Sequence, residues 1–457
     1  MKYLFFISAV LGILPAVTLL ICERYLIRLV PLGLLLPLMM FNKTAINFFS
    51  KETYRGTSRG LEISIIYIVA VILICTIFAL KGIQNPFPDR GSRLYLLYFL
   101  LCLPSLTTAG TLSVSIFELW KMVMIYFVFM AVYFYLKFSR GDFDIIIYGV
   151  GILVAVNFFN VLYQHFIGIY QPRGIFPHQN SMAMFMMMAG TLFFARYFNR
   201  NEKWKSTIFF ILFGLASVAL VRTYSRGAIA CYPLSMLVVL FFSLRYTFSI
   251  KKMYVISALA LIAIVGVLYF LPRVIHRFES APEASGNTRK ELALVAKNMI
   301  EHRYIRGVGI NNWGYAINPP YPYSEFRREA RRMSDEKRDG IVETVYLLVA
   351  AECGLPCFFI FICWLGYYWV ISLRLIKKLK GSANFYIPVG MLGGLTGVML
   401  QSALEWVLKQ QMNLIFLMIT FAMLSYLNRY YRKFVAAEPT VEETSADSAT
   451  DADPDAA

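Results

Sequence analysis

Apolar runs long enough to cross a membrane recur along this chain, and no other feature limits its folds so strongly. Residues 61–80 and 254–271 are clear cases. A bilayer core needs about 20 apolar residues in a helix rising about 1.5 Å per residue. Lipid offers no partner to a backbone N–H or C=O, so such runs must be helices. About 12 to 13 segments meet this length, which predicts an all-α polytopic membrane protein. The composition agrees: 58% of the 457 residues are hydrophobic, and the mean hydropathy is +0.60. The first run, residues 3–22, has little basic start and no small-residue exit, so it is read as a retained span, not a cleaved leader.

The connections carry the second signal. Short loops at 196–205, 245–252, 374–380 and 429–433 are basic, the mark of a cytoplasmic face. Alternation then puts the 168–180 loop, the 223–226 corner and one long polar stretch, 272–340, on the periplasmic side. That stretch is itself basic, but long loops escape the charge rule. Residues 42–59 remain ambiguous, because their charge argues for the inside and the helix count for the outside. Either the first two apolar runs form a re-entrant hairpin or the count slips near Pro104. The expected organisation is N-terminal helices (1–165), core helices with Arg-bearing corners (166–271), the long loop (272–340), C-terminal helices (341–433) and a disordered acidic cytoplasmic tail (434–457).

The net charge of +17 is accounted for by membrane anchoring with some left for an anionic ligand, and nucleic acid is not an expected partner. Cys353 and Cys357 share a helical face without a second pair, so the thiols read as small buried hydrophobes, and no metal or other cofactor is called for. Asp142 and Asp144 imitate a metal-binding pair but fall at the cytoplasmic face. No internal repeat is visible, which weakens a transporter reading.

Four segments carry candidate chemistry. In Gln171-Pro-Arg173-Gly-Ile-Phe-Pro-His178-Gln-Asn180-Ser181, Asn180 and Ser181 suit a helix cap, and Arg173 beside a helix N-terminus suits a phosphate; a snorkelling Arg is the plain alternative. Arg222-Thr-Tyr-Ser225-Arg226-Gly227 is a tight corner whose arginines either reach an anion or flank the membrane. Thr288 is the expected cap of an amphipathic helix bearing Leu292, Val295, Ala296 and Met299. Arg289 then falls in its first turn, where a cation is disfavoured and an anionic ligand would supply the reason for it. Gly307 and Gly309 turn the chain toward Asn311, Asn312 and Trp313, and 319–323 reads as an extended surface suited to sugar. The densely charged 325–339 reads as a solvated helix. Glu343 and Glu352 re-enter an apolar segment about 14 Å apart on a helix, too far to act as a pair. Glu343 suits a base, and Glu352 an Arg partner or a cap for the break at Gly354.

Together these segments resemble the O-antigen ligase/polymerase family across residues 164–368. The likeness rests on Arg173-Gly-Ile-Phe-Pro-His178-Gln-Asn180, on Ser225-Arg226-Gly227, and on the late loop with Arg289, Glu301-His302, Gly307-Val308-Gly309 and the re-entry Tyr346-Leu347 to Gly354-Leu355. It implies a metal-independent glycosyltransferase of the bacterial inner membrane. The donor would be a glycan on undecaprenyl diphosphate. The acceptor would be a sugar hydroxyl, on lipid A-core for a ligase or on a growing glycan for a polymerase. Other polysaccharide-assembly proteins would be possible partners. Arg173, Arg226 and Arg289 match the arginines that hold the diphosphate. His178, Asn180, Arg222, Trp313 and Tyr346 fall beside them as substrate-binding candidates. One position departs from the pattern: Glu343 stands where the family has a His that activates the acceptor. The competing classes are a lipid-linked glycan flippase or transporter, with its charges mid-span, and a non-catalytic scaffold.

Overall fold

The computed structural model describes residues 2–40, 44–199, 203–246, 283–318 and 340–435, with single positions or short pieces between 248 and 261 and at 323. The expected span at 254–271, the 325–339 segment, most of 319–323 and the tail beyond 435 lie outside the described residues.

Among the described residues the protein is all-α, with one two-stranded exception. β1 (Ile46–Phe48) pairs antiparallel with β2 (Leu61–Ile63), Ile46 opposite Ile63. The helices that follow are α1 (Ile65–Lys81), α2 (Arg90–Cys102), α3 (Leu112–Phe138), α4 (Asp144–Phe166), α5 (Gln179–Asn199), α6 (Lys203–Arg222) and α7 (Arg226–Tyr246). After them come α8 (Glu283–His302), α9 (Val345–Cys353), α10 (Leu355–Lys378), α11 (Tyr386–Ser402) and α12 (Gln411–Val435). Among the described residues six of these, α3, α4, α5, α7, α10 and α12, are long and apolar enough to cross a membrane. The N-terminal pair Phe6–Cys22 and Arg24–Met40 makes a seventh when counted as one bent element. The expected 12 to 13 also counted the run 254–271, outside the described residues, and two described apolar helices, α1 and the apolar part of α6, are too short to be included.

The bend in that pair bears on the N-terminal ambiguity. The two N-terminal runs are bent by 114°. Their outer ends return to one end of the bundle: Tyr3 and Phe6 meet Phe48 of β1, and Met39 and Met40 border a cavity with Arg173. The first two apolar runs therefore form a hairpin, and residues 44–59 lie at the same end as the long loop. The basic connections gather at the opposite end. There Arg196 bonds Asp144 at 2.7 Å, Lys378 sits over Tyr431 and Tyr246 meets Phe385. Of the two acids Asp142 and Asp144, Asp144 is thus engaged by Arg196 at a helix end.

Charge is also buried near the loop end. Glu118 on α3 is 1% exposed. Its carboxylate takes Lys121 Nζ at 2.7 Å and Lys409 Nζ at 2.9 Å, and the hydroxyls of Thr57 and Ser58 donate to it as well. Four donors from three separate stretches make its burial tolerable; removing one partner leaves an uncompensated charge. Glu118→Ala or Lys409→Ala is expected to cost about 3–5 kcal/mol, read as a lowered unfolding midpoint of the purified protein. Trp204→Ala, on an exposed side chain, should leave the midpoint unchanged.

Candidate active site

The long loop is docked by glycine. Gly307 has φ +68 and Gly354 has φ +83, values that side-chain-bearing residues rarely adopt. The two bends lie against each other. Val308 N–H donates to Ala351 O and Gly309 N–H to Glu352 O, each at 2.9 Å, and Leu355 N–H donates to Tyr304 O at 2.7 Å. A Cβ on Gly307 would come within 2.3 Å of the Glu352 backbone. Past this clasp, Asn311 Nδ2 donates to the carbonyls of Ser58 and Val114, both at 2.8 Å. Asn312 Nδ2 donates to Ser115 Oγ at 2.7 Å. The loop is thereby tied to α3 and to the segment before β2.

α8 lies on this base. Leu292, Val295, Ala296 and Met299 are buried, as their spacing predicts, against Trp313, Ile317, Val342 and Leu348. The helix is already formed at Glu283, so Thr288 is not its cap and Arg289 lies beyond the first turn. Arg289 forms an ion pair with Glu343, both side chains half-exposed. Its Nε has no hydrogen-bond partner among the described residues.

A cavity of about 290 Å³ opens between α8, the 178–180 and 224–227 corners, Glu343 and the 405–407 turn. Arg226, Arg289, Glu343, His178 and Asn180 all line it, as do Gln171, Ser225, Gly227 and Glu405. Two helices begin at its wall, α5 at Gln179 and α7 at Arg226. Ser225 Oγ accepts from Ala228 N–H at 3.4 Å, which makes Ser225 the cap of α7. His178, not Asn180 or Ser181, caps α5: its Nδ1 accepts the Asn180 N–H at 3.2 Å. Burial, and then Arg173, lowers the His178 pKa, so the ring favours its neutral form. Burial lifts the Glu343 carboxyl above its ordinary value, while Arg289 and Arg226 pull it down. Helix N-termini and two guanidiniums make this wall receptive to anions.

The other candidates lie elsewhere. Arg173 is exposed; its Nη1 donates to Pro177 O at 3.2 Å, and it lines a neighbouring cavity of about 640 Å³ with Met39, Met40, Val156 and Phe176. Arg222 contacts His165 at 3.3 Å and does not line either cavity. Trp313 is 1% exposed and donates from Nε1 to Gly340 O at 2.8 Å. Tyr346 donates to Met399 O at 2.7 Å. Both have a satisfied polar atom, and neither lines either of these two cavities. Glu352 pairs with no Arg among the described residues; its Oε1 accepts the Trp313 backbone N–H at 3.2 Å. Cys353 and Cys357 are joined by Cys102, whose Sγ lies 3.4 Å from that of Cys357; nothing local in the sequence linked α2 to that pair. Glu405 also escaped the sequence reading. Its one available signal was a lone carboxylate in the apolar stretch after Gln401.

Fold and site define a multi-pass membrane protein with an anion-receptive cavity, bearing carboxylates, at one end of its bundle. Residues 210–362, about a third of the chain, match the family model described as O-antigen ligase. That match supports an O-antigen ligase/polymerase-like family and a function of that general type. It takes in Arg226, Arg289 and Glu343 and stops short of Arg173, His178 and Glu405. No curated protein matches the chain.

The glycine clasp makes a prediction independent of chemistry. Gly307→Val demands both an unfavourable backbone, costing about 1–2 kcal/mol, and a displaced neighbour. Limited proteolysis should cut the 283–318 region faster in this variant than in the wild type. Equal cutting rates would show that the clasp does not hold the loop.

Proposed function

We propose that the chain transfers a glycan from undecaprenyl diphosphate to a sugar hydroxyl at the periplasmic face of the bacterial inner membrane, as an O-antigen ligase or polysaccharide polymerase. The observation that carries this reading is the meeting of Arg226 and Arg289 in one cavity with Glu343. The leaving group is a diphosphate, and negative charge grows on it as the anomeric C–O bond breaks. Fixed guanidiniums and two helix N-termini stabilise that charge more in the transition state than before it. Glu343 holds Arg289 in position through their ion pair and presents its free face to the acceptor. The neighbouring cavity, with Arg173 beside methionines and a phenylalanine, suits the lipid-proximal part of the donor. The long loop is then the lid and acceptor side of the site.

A flippase reading calls for charge at mid-span. Of the cavity arginines, Arg226 begins α7 and Arg289 is carried by α8 of the long loop, a placement at the loop end of the bundle that favours transfer chemistry. The test uses purified protein with an undecaprenyl-diphosphate oligosaccharide and, in separate reactions, lipid A-core or a second lipid-linked chain, with products sized by gel. Arg226→Ala and Arg289→Ala should each slow transfer by about a hundredfold or more while the protein stays in the membrane. Wild-type rates in both would overturn the assignment. Glu343→Gln should weaken transfer less than Arg289→Ala, because Arg289 keeps a neutral partner.

A further inference from the structure

The cavity holds a second carboxylate, and it differs from Glu343 in each property that matters for proton transfer. Glu343 is half-exposed and engaged by the Arg289 guanidinium. Glu405 is 5% exposed, yet it lines the cavity. It sits in the turn between α11 and α12, and Gln401 Nε2 donates to its Oε2 at 3.1 Å. The same amide nitrogen also donates to Asn180 O at 3.2 Å, so Gln401 fixes the carboxylate relative to the α5 corner. Gly227 leaves it room: a Cβ there would lie 3.0 Å from Glu405 Oε1. The carboxylate therefore lies against the first turn of α7, beside Arg226, and faces the same space.

Resting on the glycan-transfer reading above, we propose that Glu405 is the catalytic residue that accepts the proton of the acceptor hydroxyl. In the step, an acceptor oxygen lone pair forms the new bond to the anomeric carbon. The C–O bond to the diphosphate breaks, and its electron pair leaves on the phosphate oxygen. The hydroxyl proton passes to the Glu405 carboxylate, which later releases it to water. The division of labour follows from the contacts. A carboxylate bound to a guanidinium has little basicity to offer, whereas Glu405 is held by neutral donors, the Gln401 amide and the Ser225 hydroxyl, and keeps more of its basicity. The groups facing Glu405 are Arg226 from α7, Arg289 from α8, Glu343 ahead of α9 and His178 and Asn180 at the start of α5. Burial raises Glu405 to about 7, with Glu343 adding to the rise and hydrogen bonds from Gln401 and Ser225 and the charge of Arg289 opposing it. That value suits a base near neutral pH.

The experiment measures transfer from an undecaprenyl-diphosphate oligosaccharide at saturating donor between pH 5.5 and 8.5. Wild-type protein should gain rate as pH rises through about 7, as Glu405 loses its proton. Glu405→Gln should be slower by about a hundredfold or more and lose that limb. Glu405→Asp should keep the limb at a reduced rate, an outcome that a purely structural carboxylate does not produce. A wild-type profile that is flat across the range overturns the proposal without any variant. So does Glu405→Gln within about threefold of wild type with an unchanged profile. In both cases transfer itself continues and the broader reading stands. Absence of transfer by the wild type at every pH overturns that reading and this one together.

Discussion

The structure depends on one buried carboxylate. Glu118 lies in the first turns of α3, out of water, and an ion so placed costs several kcal/mol unless strong partners surround it. It takes Lys121 from its own helix, Lys409 from the turn before α12, and hydroxyls from Thr57 and Ser58 before β2. Thr57 and Ser58 lie about 60 residues before Glu118 and Lys409 about 290 after it, so satisfying Glu118 brings the N-terminal ribbon, α3 and the C-terminal turn together. That turn also carries Glu405, Trp406 and Val407 into the cavity wall. The charge that anchors the fold and the wall that faces the ligand are neighbours on one short segment.

The loop depends on that base. Asn311 and Asn312 reach the same ribbon and the start of α3, and the Gly307–Gly354 clasp fixes the loop to the break between α9 and α10. A polar loop could not lie so close to an apolar bundle with its backbone unpaired. Here its N–H groups find carbonyls exposed by the helix break. Once docked, the loop can carry α8 and Arg289 over the cavity at a set height, opposite Arg226. The transfer proposed above would gain from this arrangement, because charges set in place need not move as a dianionic leaving group departs.

Much of this was readable in advance. The apolar runs, the basic connections gathered at one end, and the buried stripe Leu292, Val295, Ala296 and Met299 all depend on residues close in sequence. Arg226, Arg289 and Glu343 could be nominated because a charge beside an apolar run is conspicuous. Their meeting could not be read directly, and neither could the absence of Arg173 from that cavity. Trp313 and Tyr346 show why: an aromatic with a polar tip looks the same in sequence whether it lines a sugar path or packs with its donor bonded to a distant carbonyl. The cap of α5 went to His178, although Asn180 and Ser181 are better formers on average. The helix begins at Gln179, so the capping position falls on His178, whose ring nitrogen takes the Asn180 N–H.

The sequence by itself determined that this is a helical, multi-pass membrane protein with one long polar loop and arginines at the loop end. Solvent preference and helical period act on neighbouring residues, so these features are written locally. Only the tertiary structure decided which charges share a cavity, that the N-terminal runs return as a hairpin, and that Glu405 stands beside Arg226. Those outcomes depend on how buried charges and unpaired backbone groups find partners across the whole chain, and each partner is chosen by distance in space, which sequence separation does not reveal.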